Sequence, residues 1–307
     1  MTPPPPPPAA DVAEVVMPGT QFVRDGATRL REIGFAALLL TALGIALLTL
    51  LVLMIDVILE GASSLTPQFF TDTPSRIDPS SSGIAPAIWG TIWLMLVCAA
   101  FIIPVGVASA IYLEEYANRE NRFARFVEVN IQNLAAVPSI VYGVLGLAFL
   151  VRGPLELGNV VLAGGLTLGL LVLPVVIVAG REAIRAVPPS IREGSMALGA
   201  TKWQTIWKQV LPAAVPGIAT GTILALSRAI GETAPLIVVG ATAFATTAST
   251  GLFEQFSALP IQIFGWTADP QEAFQALAAG AIIVLMAILL SMNAIAIWLR
   301  NRYEQKW

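Results

Sequence analysis

Residues 79–113 read PSSSGIAPAIWGTIWLMLVCAAFIIPVGVASAIYL and contain no aspartate, glutamate, lysine or arginine. An α-helix needs about 20 apolar residues to cross the hydrocarbon layer of a bilayer, so this stretch is long enough to span a membrane. The chain of 307 residues is 56% hydrophobic and only 12% charged, whereas soluble domains carry about 25% charged residues. The sequence therefore predicts an all-α, polytopic membrane protein. Further charge-free runs occupy 33–55, 129–151, 157–180, 209–227, 233–253 and 273–299.

These runs predict six transmembrane helices, because 209–227 and 233–253 belong largely to one crossing. The first run is too long for a cleaved signal peptide, and no small-residue cleavage site follows it, so we interpret it as a retained helix. Pro235 lies beside Gly231 and Glu232 in the fifth span, which predicts a local break there. Prolines inside other spans, Pro104, Pro138, Pro174 and Pro216, are interpreted as ordinary kinks. The predicted spans are 33–58, 87–113, 127–151, 159–180, 213–241 and 277–299.

Lysine and arginine collect on one side of this arrangement. All but three of the 17 basic residues lie before the first helix, between the second and third, between the fourth and fifth, or after the sixth. The exceptions are Arg76, Arg152 and Arg228. Because basic residues accumulate in cytoplasmic loops, we expect these four regions, and therefore both termini, to face the cytoplasm.

The segments between and around the spans follow from this topology. The run Pro3–Pro8 is typical of a disordered or polyproline tail. The predicted segments are a disordered, proline-rich cytoplasmic tail at 1–32, the first transmembrane helix at 33–58, an outer loop at 59–86, a membrane core at 87–299 that includes the cytoplasmic loop 181–212, and a cytoplasmic C-terminus at 300–307.

The residue types that are missing exclude several kinds of chemistry. The chain has no histidine, and its one cysteine, Cys98, lies in an apolar run, which excludes disulfides, cysteine-rich metal sites and histidine-based acid–base catalysis. The P-loop pattern Gly-x-x-x-x-Gly-Lys-Ser/Thr is absent around Lys202, Lys208 and Lys306, which are the chain's lysines. We therefore expect no catalytic residue, no bound metal or cofactor, and no nucleic-acid partner.

Arg228 and Glu232 are the charged residues of the long apolar stretch between Lys208 and Glu254. An ionisable residue at the centre of a membrane helix costs about 2.5–3.5 kcal/mol, and such a cost indicates a task. The two residues are four apart, on one helical face. A guanidinium presents a planar fork that matches the oxygens of an anion. The pair therefore predicts a site that handles an anion in transit.

A helical wheel continued through this region places small residues on the face of Arg228. Small residues let a second helix or a substrate approach closely. Two interpretations stay open: the pair lines a pathway, or it is an ion pair that only fixes a seam between subunits. The residues that share the face are Gly221, Ala225, Gly231, Glu232 and Pro235. The candidate pathway residues are Ser227, Arg228, Gly231, Glu232 and Thr233.

The segment Pro188–Ala200 of the cytoplasmic loop is predicted to form a short helix. Ser190 is placed to cap its start in a capping box with Glu193, and Gly199 is placed to end it. A short helix outside the membrane with apolar side chains is expected either to enter a groove on another protein or to lie on the lipid headgroups.

Glu193, then Gly199, then Leu211-Pro212 resembles the EAA loop of bacterial ABC-importer permeases. The sequence departs from that pattern at Gly194 and Ser195, which replace two alanines, and at Gln209, where an isoleucine is usual. The resemblance implies that this helix inserts in a cleft on a separate ATPase subunit. The residues expected to contact the ATPase are Ile191, Arg192, Glu193, Met196, Ala197, Leu198 and Gly199.

Further motifs are similar to those of the phosphate-specific (Pst-type) permeases. They are Tyr112–Tyr116 (YLEEY), Pro138–Gly143 (PSIVYG), Leu198–Trp203 (LGATKW) and Ser227–Leu236 (SRAIGETAPL). Of the two permease subunits in that family, the C-terminal segments resemble the PstA type. Those segments are Leu259–Phe264 (LPIQIF), Pro270–Phe274 (PQEAF) and Arg302–Trp307 (RYEQKW).

The resemblance implies the type I ABC importer permease fold and a place in the inner membrane of a bacterium. It implies inorganic phosphate as the substrate and, as partners, a PstC-type second permease, two PstB-type ATPase subunits that bind ATP and Mg²⁺, and an external PstS-type phosphate-binding protein. Glu232 is then expected either to restrain Arg228 or to accept a hydrogen bond from a protonated phosphate oxygen.

Other function classes stay as alternatives: a permease for another oxyanion or solute, an ion-coupled secondary transporter, and a structural membrane assembly factor. The EAA-like loop and the lack of a second intramembrane carboxylate argue against the secondary transporter. Arg228 and Glu232 argue against a purely structural role.

Overall fold

The computed structural model describes residues 26–117, 122–243, 245 and 247–303. Most of the predicted proline-rich tail lies outside the described residues, as do residues 304–307 of the predicted C-terminus. Helix α1 (Gly26–Gly61) begins before the predicted end of the tail at residue 32. Residues 26–32 contain no proline, so no residue in this stretch lacks the backbone N–H that a helix needs.

Throughout the described residues the chain is helical or irregular, with no β-strand. After α1 come a 3₁₀ turn (Ala62–Ser64), α2 (Pro67–Thr71), a second 3₁₀ turn (Pro79–Ser81) and α3 (Ala85–Ile111). The middle of the chain forms α4 (Arg122–Ala135), α5 (Ser139–Gly146), α6 (Val161–Arg185), α7 (Pro189–Ala197) and α8 (Lys202–Thr205). The rest forms α9 (Leu211–Ile230), α10 (Ala234–Val239), α11 (Leu259–Thr267) and α12 (Glu272–Tyr303). π-Helical turns extend α3 at Tyr112–Tyr116 and α5 at Leu147–Val151, and join α8 to α9 at Ile206–Val210.

Five helices of the described residues are long and apolar enough to cross a membrane. A further candidate is the pair Arg125–Ala135 and Ser139–Val151, whose two parts meet at an angle of 104°. Counting that pair as one span gives the six crossings predicted from the sequence. The five spans are Arg31–Ser64, Ala85–Tyr116, Val161–Arg185, Lys202–Ile230 and Glu272–Arg302.

The third predicted helix, 127–151, is not continuous. Pro138 has no backbone N–H to donate, and it disfavours helical geometry at Val137 before it. Helix α4 therefore ends at Ala135 and α5 begins at Ser139. The interpretation of Pro138 as an ordinary kink is wrong, whereas the prolines inside α3, α6 and α9 leave those helices continuous.

The chain divides into two compact units, Met1–Met54 and Ile55–Trp307. The described part of the first unit is a single helix, and its residues 33–54 contain no charged side chain, as is typical of a membrane span. The second unit is built on α3, α6 and α9, with α5 and α11 packed against them. Its main apolar core contains Leu94, Cys98, Ile102, Tyr142, Leu168, Val172, Val176, Ala225, Ala229 and Ile261.

The segment between α10 and α11 caps the N-terminus of α6. The backbone N–H groups of Val161 and Leu162 donate to the carbonyl oxygens of Glu254 and Leu252 at 3.0 and 2.9 Å. The first N–H groups of a helix have no partner within it, so these loop carbonyls satisfy them. A second apolar cluster continues this end of the unit with Phe69, Ile84, Ala87, Leu259, Trp266, Phe274 and Leu277.

Gly90 of α3 permits the closest approach of this loop. A Cβ atom at this position would lie 2.0 Å from the carbonyl oxygen of Ser257, so Gly90→Ala must displace the backbone. We expect the variant to lose roughly 1–3 kcal/mol of stability, measured as a lower midpoint of thermal unfolding in detergent. Gly44→Ala is the matched control, because nothing lies within 4 Å of a Cβ there. A midpoint for Gly90→Ala equal to that of the wild type would contradict this account.

Helix α7 confirms one of the two predicted end signals. It starts at Pro189, with Pro188 at the N-cap and no side-chain capping bond, so the predicted capping box of Ser190 and Glu193 is wrong. Proline suits the first helical position because its φ is already helical, and the helix therefore begins before Ser190. Gly199 follows the helix with φ +86°, a left-handed conformation that favours glycine, as predicted.

Candidate functional site

Arg228 lies on the last turn of α9, and Glu232 lies in the break between α9 and α10. The Nε atom of Arg228 is 3.5 Å from Oε1 of Glu232, and the side chains are 47% and 19% exposed. The N–H groups of Gly231 and Glu232 still donate to the carbonyls of Arg228 and Ala229, both at 3.2 Å. The predicted local break is confirmed, because α9 ends at Ile230 and a separate helix, α10, begins at Ala234. It places a cation at a helix C-terminus, where the helix dipole favours positive charge.

Of the small residues that the helical wheel placed near Arg228, Gly221 and Ala225 lie with it in α9, whereas Pro235 lies in α10. The helical wheel assumed a continuous helix, and the chain leaves helical geometry at residues 231–233. Gly221 is buried against α6, since a Cβ there would lie 2.3 Å from the Cβ of Ala179, and Ala225 is also buried. Gly221 and Ala225 therefore let α6 approach α9 closely, which is one of the two predicted uses of small residues, whereas Pro235 lies beyond the break and is buried.

The break after α9 lies against a second broken helix. A Cβ at Gly143 of α5 would be 2.7 Å from Cα of Pro235 in α10, so the two short helices are in close contact. The hydroxyl of Tyr142 donates to the carbonyl oxygen of Leu134 at 2.8 Å, which ties α5 back to the end of α4. Non-helical backbone at membrane depth is tolerated where it is buried in protein or lines a cavity. The short helices that follow the two breaks, α5 and α10, thus pack against each other.

The remaining predicted pathway residues occupy different surroundings. The hydroxyl of Ser227 donates to Oδ1 of Asn293 in α12 at 2.9 Å, so Ser227 fixes α9 to α12. Gly231 is exposed in the break, and Thr233 is half-buried at the start of α10 without a capping bond from its side chain. Asn293 was missed by the sequence reasoning. Its signal was an amide within the charge-free run 273–299.

The predicted ATPase-contacting residues separate into two sets. Glu193, Ala197 and Gly199 are exposed, as are Met196 at 48% and Leu198 at 92%. Ile191 instead packs on an apolar cluster with Ile184, Val187 and Ile206. Arg192 is 20% exposed and is bonded within the chain. Helix α7 therefore has an open face and an anchored face.

Comparison with known proteins relates this chain to one family of membrane transport proteins. A family model described as binding-protein-dependent transport system inner membrane component matches residues 102–306. The chain is also similar to the phosphate transport system permease protein PstA 1 of Mycobacterium tuberculosis. The two are 33% identical over 264 residues, which are 85% of this chain and 85% of that protein.

Solved transporters share the fold at low sequence identity. The inward-facing MetNI methionine ABC transporter gives a TM-score of 0.61 at 16% identity, over 72% of this chain and 96% of that chain. A bacterial alginate ABC transporter, in complex with a periplasmic protein bound to an alginate pentasaccharide, gives 0.60 at 18% identity, over 90% of this chain and 96% of that chain. These similarities confirm the all-α, type I ABC importer permease fold. The chain therefore belongs to the family of inner-membrane components of binding-protein-dependent transport systems, as a polytopic permease subunit of an ABC transporter.

Proposed function

We propose that this chain is the PstA-type permease subunit of an ATP-driven phosphate importer, in which it forms half of the translocation pathway. The observation that carries the proposal is the Arg228–Glu232 pair. A half-exposed guanidinium lies at a helix break inside an otherwise apolar region. The similarity to the M. tuberculosis phosphate permease supports phosphate as the anion.

The two charges suit phosphate better than a fully ionised oxyanion. The guanidinium of Arg228 donates to phosphate oxygens in a planar, two-bond geometry. The carboxylate of Glu232 repels a bare anion, but it accepts a hydrogen bond from a protonated phosphate oxygen. Sulfate carries no proton near neutral pH, so the same carboxylate disfavours sulfate. In the absence of substrate, Glu232 neutralises Arg228 and lowers the cost of an unpaired charge.

Import of phosphate needs an energy source outside this chain. Moving a dianion into a cell that is negative inside by 100 mV costs about 4.6 kcal/mol before any concentration gradient. The sequence has no P-loop. We infer that a separate ATPase supplies the energy and binds the open face of α7, where the apolar side chain of Leu198 is 92% exposed.

The proposed assembly contains a PstC-type second permease, two PstB-type ATPase subunits carrying ATP and Mg²⁺, and an external PstS-type phosphate-binding protein. The alginate transporter, which was solved in complex with a periplasmic protein, is a fold relative consistent with such an arrangement. We place the complex in the inner membrane of a bacterium with both termini of this chain in the cytoplasm, since the basic loops share that side.

The test is transport by the purified complex in proteoliposomes. We expect radiolabelled phosphate to enter only when ATP is supplied to the ATPase side and the binding protein is present on the other. Sulfate at the same concentration is the matched control and is expected not to enter. Uptake that proceeds without an ATPase, driven by an ion gradient, would overturn the proposal in favour of a secondary transporter. ATP-driven uptake of another solute but not phosphate would retain the transporter class and reject the substrate.

A further inference from the structure

The predicted cytoplasmic end of α3 carries two neighbouring carboxylates on its π-helical turn, Tyr112–Tyr116. The side chain of Glu114 is 6% exposed and that of Glu115 is 10% exposed. Carboxylates are almost never buried to this extent unless they are paired. Adjacent residues of a helix do not face the same neighbour, so the two carboxylates reach different elements of the fold.

Glu114 clamps α3 to the end of α6. Arg185 donates from Nε to Oε1 of Glu114 at 3.0 Å and from its second terminal nitrogen to Oε2 at 2.9 Å, a two-bond geometry that resists rotation. Nε of Arg181 lies 3.6 Å from Oε2 of the same carboxylate. Arg181 also reaches Glu128 of α4 at 3.0 Å. These contacts join the ends of α3 and α6 to each other and to the middle of α4.

Glu115 reaches α7 instead. Two nitrogens of Arg192 lie 3.0 and 2.9 Å from Oε1 of Glu115. Arg192 also donates to the carbonyl oxygens of Val187 and Ile184 at 2.6 and 2.7 Å. One guanidinium thus bonds α7 to both the end of α3 and the end of α6.

Residues of α8 make further contacts with the end of α3 and with α7. The ammonium of Lys202, at the start of α8, donates to the backbone carbonyl of Glu115 and lies 4.9 Å from the centre of the Tyr116 ring. The hydroxyls of Ser195 and Thr205 are 2.9 Å apart, which links α7 to α8. Helix α7 is therefore bonded on its inner side to elements on both sides of it in the chain, while its outer side is open.

We propose that Glu115 is a positioning residue for energy coupling. Its ion pair with Arg192 holds α7 rigidly on the end of α3, so that a displacement of α7 by the ATPase moves α3 and the membrane core with it. The proposal rests on the proposed function, in which α7 is the helix that meets the ATPase. When the pair is removed, α7 tilts on its own and ATP is hydrolysed without moving the core.

A double-mutant cycle tests this coupling in the complete reconstituted importer. The measured quantity is the amount of phosphate transported per ATP hydrolysed by Glu115→Gln, Arg192→Gln and the double variant. We expect each single variant to lower this ratio about fivefold while ATP hydrolysis changes by less than about twofold. The double variant is expected to be no worse than the more damaging single one, because the two residues act as a unit. Arg192→Lys, which keeps the charge, is expected to recover part of the ratio.

Glu182→Gln is the matched control. Glu182 also pairs with an arginine, Arg185, but its side chain is 62% exposed and the pair lies within α6. We expect this variant to keep the wild-type ratio. Losses that add in the double variant would overturn the proposal. Equal losses of transport and ATP hydrolysis in Glu115→Gln, with an unchanged ratio, would show a merely structural role and would also overturn it.

A distance measurement separates this inference from the identity of the substrate. Spin labels on Ala108→Cys in α3 and Ser190→Cys in α7, in a Cys98→Ser background, report the α3–α7 distance in the complex in nanodiscs. We expect a narrow distribution with wild-type Glu115 and a broadened one in Glu115→Gln. An unchanged distribution would overturn the clamp. This readout needs no transported solute, so a complex that imports something other than phosphate rejects the substrate proposal while the clamp is still tested.

Discussion

Arg228→Gln is expected to lower ATP-driven phosphate uptake by at least roughly 100-fold, since the loss of a charge-assisted, two-bond contact costs about 3 kcal/mol. The glutamine keeps hydrogen-bonding capacity and much of the side-chain volume, so the fold should survive. The structure supports this, because the Arg228 side chain is 47% exposed and its ion pair with Glu232 is a single contact at 3.5 Å. Uptake of labelled phosphate by proteoliposomes is the measurement.

Assembly of the complex distinguishes the two interpretations of this pair. If Arg228 serves the pathway, the Arg228→Gln subunit should co-purify with its partners at the wild-type level while transport is lost. If the pair only fixes a seam between subunits, the complex should dissociate and transport should fall in proportion. Glu232→Gln is the companion variant, and we expect it to reduce transport less and to weaken discrimination against sulfate. Normal phosphate uptake by Arg228→Gln would reject the pathway role.

The sequence identified Arg228 and Glu232 as candidate pathway residues because a charge inside an apolar run is conspicuous whatever the fold. It could not predict their neighbours in the same way. Asn293 lies 66 residues from Ser227 in the chain, and only the packing of α12 against α9 brings the two side chains together. An uncharged amide in an apolar run also costs less than a charge, so its signal in the sequence is weaker.

The sequence did not show how far glycine and proline interrupt the helices of the membrane core. Glycine and proline were visible at 231–235 and at Pro138, but the size of each disruption depends on how neighbouring elements satisfy the freed backbone groups. The close contact of Gly143 with Pro235 shows that the short helices after the two breaks pack against each other. A helical wheel is therefore valid for residues 221–230, which lie in α9, but not for Pro235, which lies beyond the break.

The sequence likewise could not show which face of α7 is anchored in the chain and which is open. Ile191 and Leu198 are both apolar, and either suits a helix that docks on another protein. Only the tertiary contacts show that Ile191 is anchored and Leu198 is open. The same applies to Arg192, whose partner Glu115 lies 77 residues earlier in the chain. The sequence of Pro188–Ala200 predicted a short helix there, which the structure confirms at Pro189–Ala197, but it did not separate the two faces of that helix.

Leu198→Asp is expected to weaken association with the ATPase strongly without disturbing the permease. The Leu198 side chain is 92% exposed, so the chain itself loses no buried contact when the residue becomes polar. An apolar side chain that fills a groove on a partner contributes about 2 kcal/mol or more, and an aspartate there must in addition be desolvated. We expect affinity for the ATPase to fall by at least roughly 30-fold, measured by co-purification from detergent-solubilised membranes.

Ile77→Asp is the matched control for this prediction, because Ile77 is also a large apolar residue and is 87% exposed, but it lies in the predicted outer loop. We expect it to retain the ATPase. Both variants should unfold at the wild-type temperature, since neither removes a buried side chain. If Leu198→Asp still brought down the ATPase at the wild-type level, the open face of α7 would not be the docking surface. If Ile77→Asp lost the ATPase equally, the effect would reflect added charge rather than the place of Leu198, and coupling through α7 would lose its support.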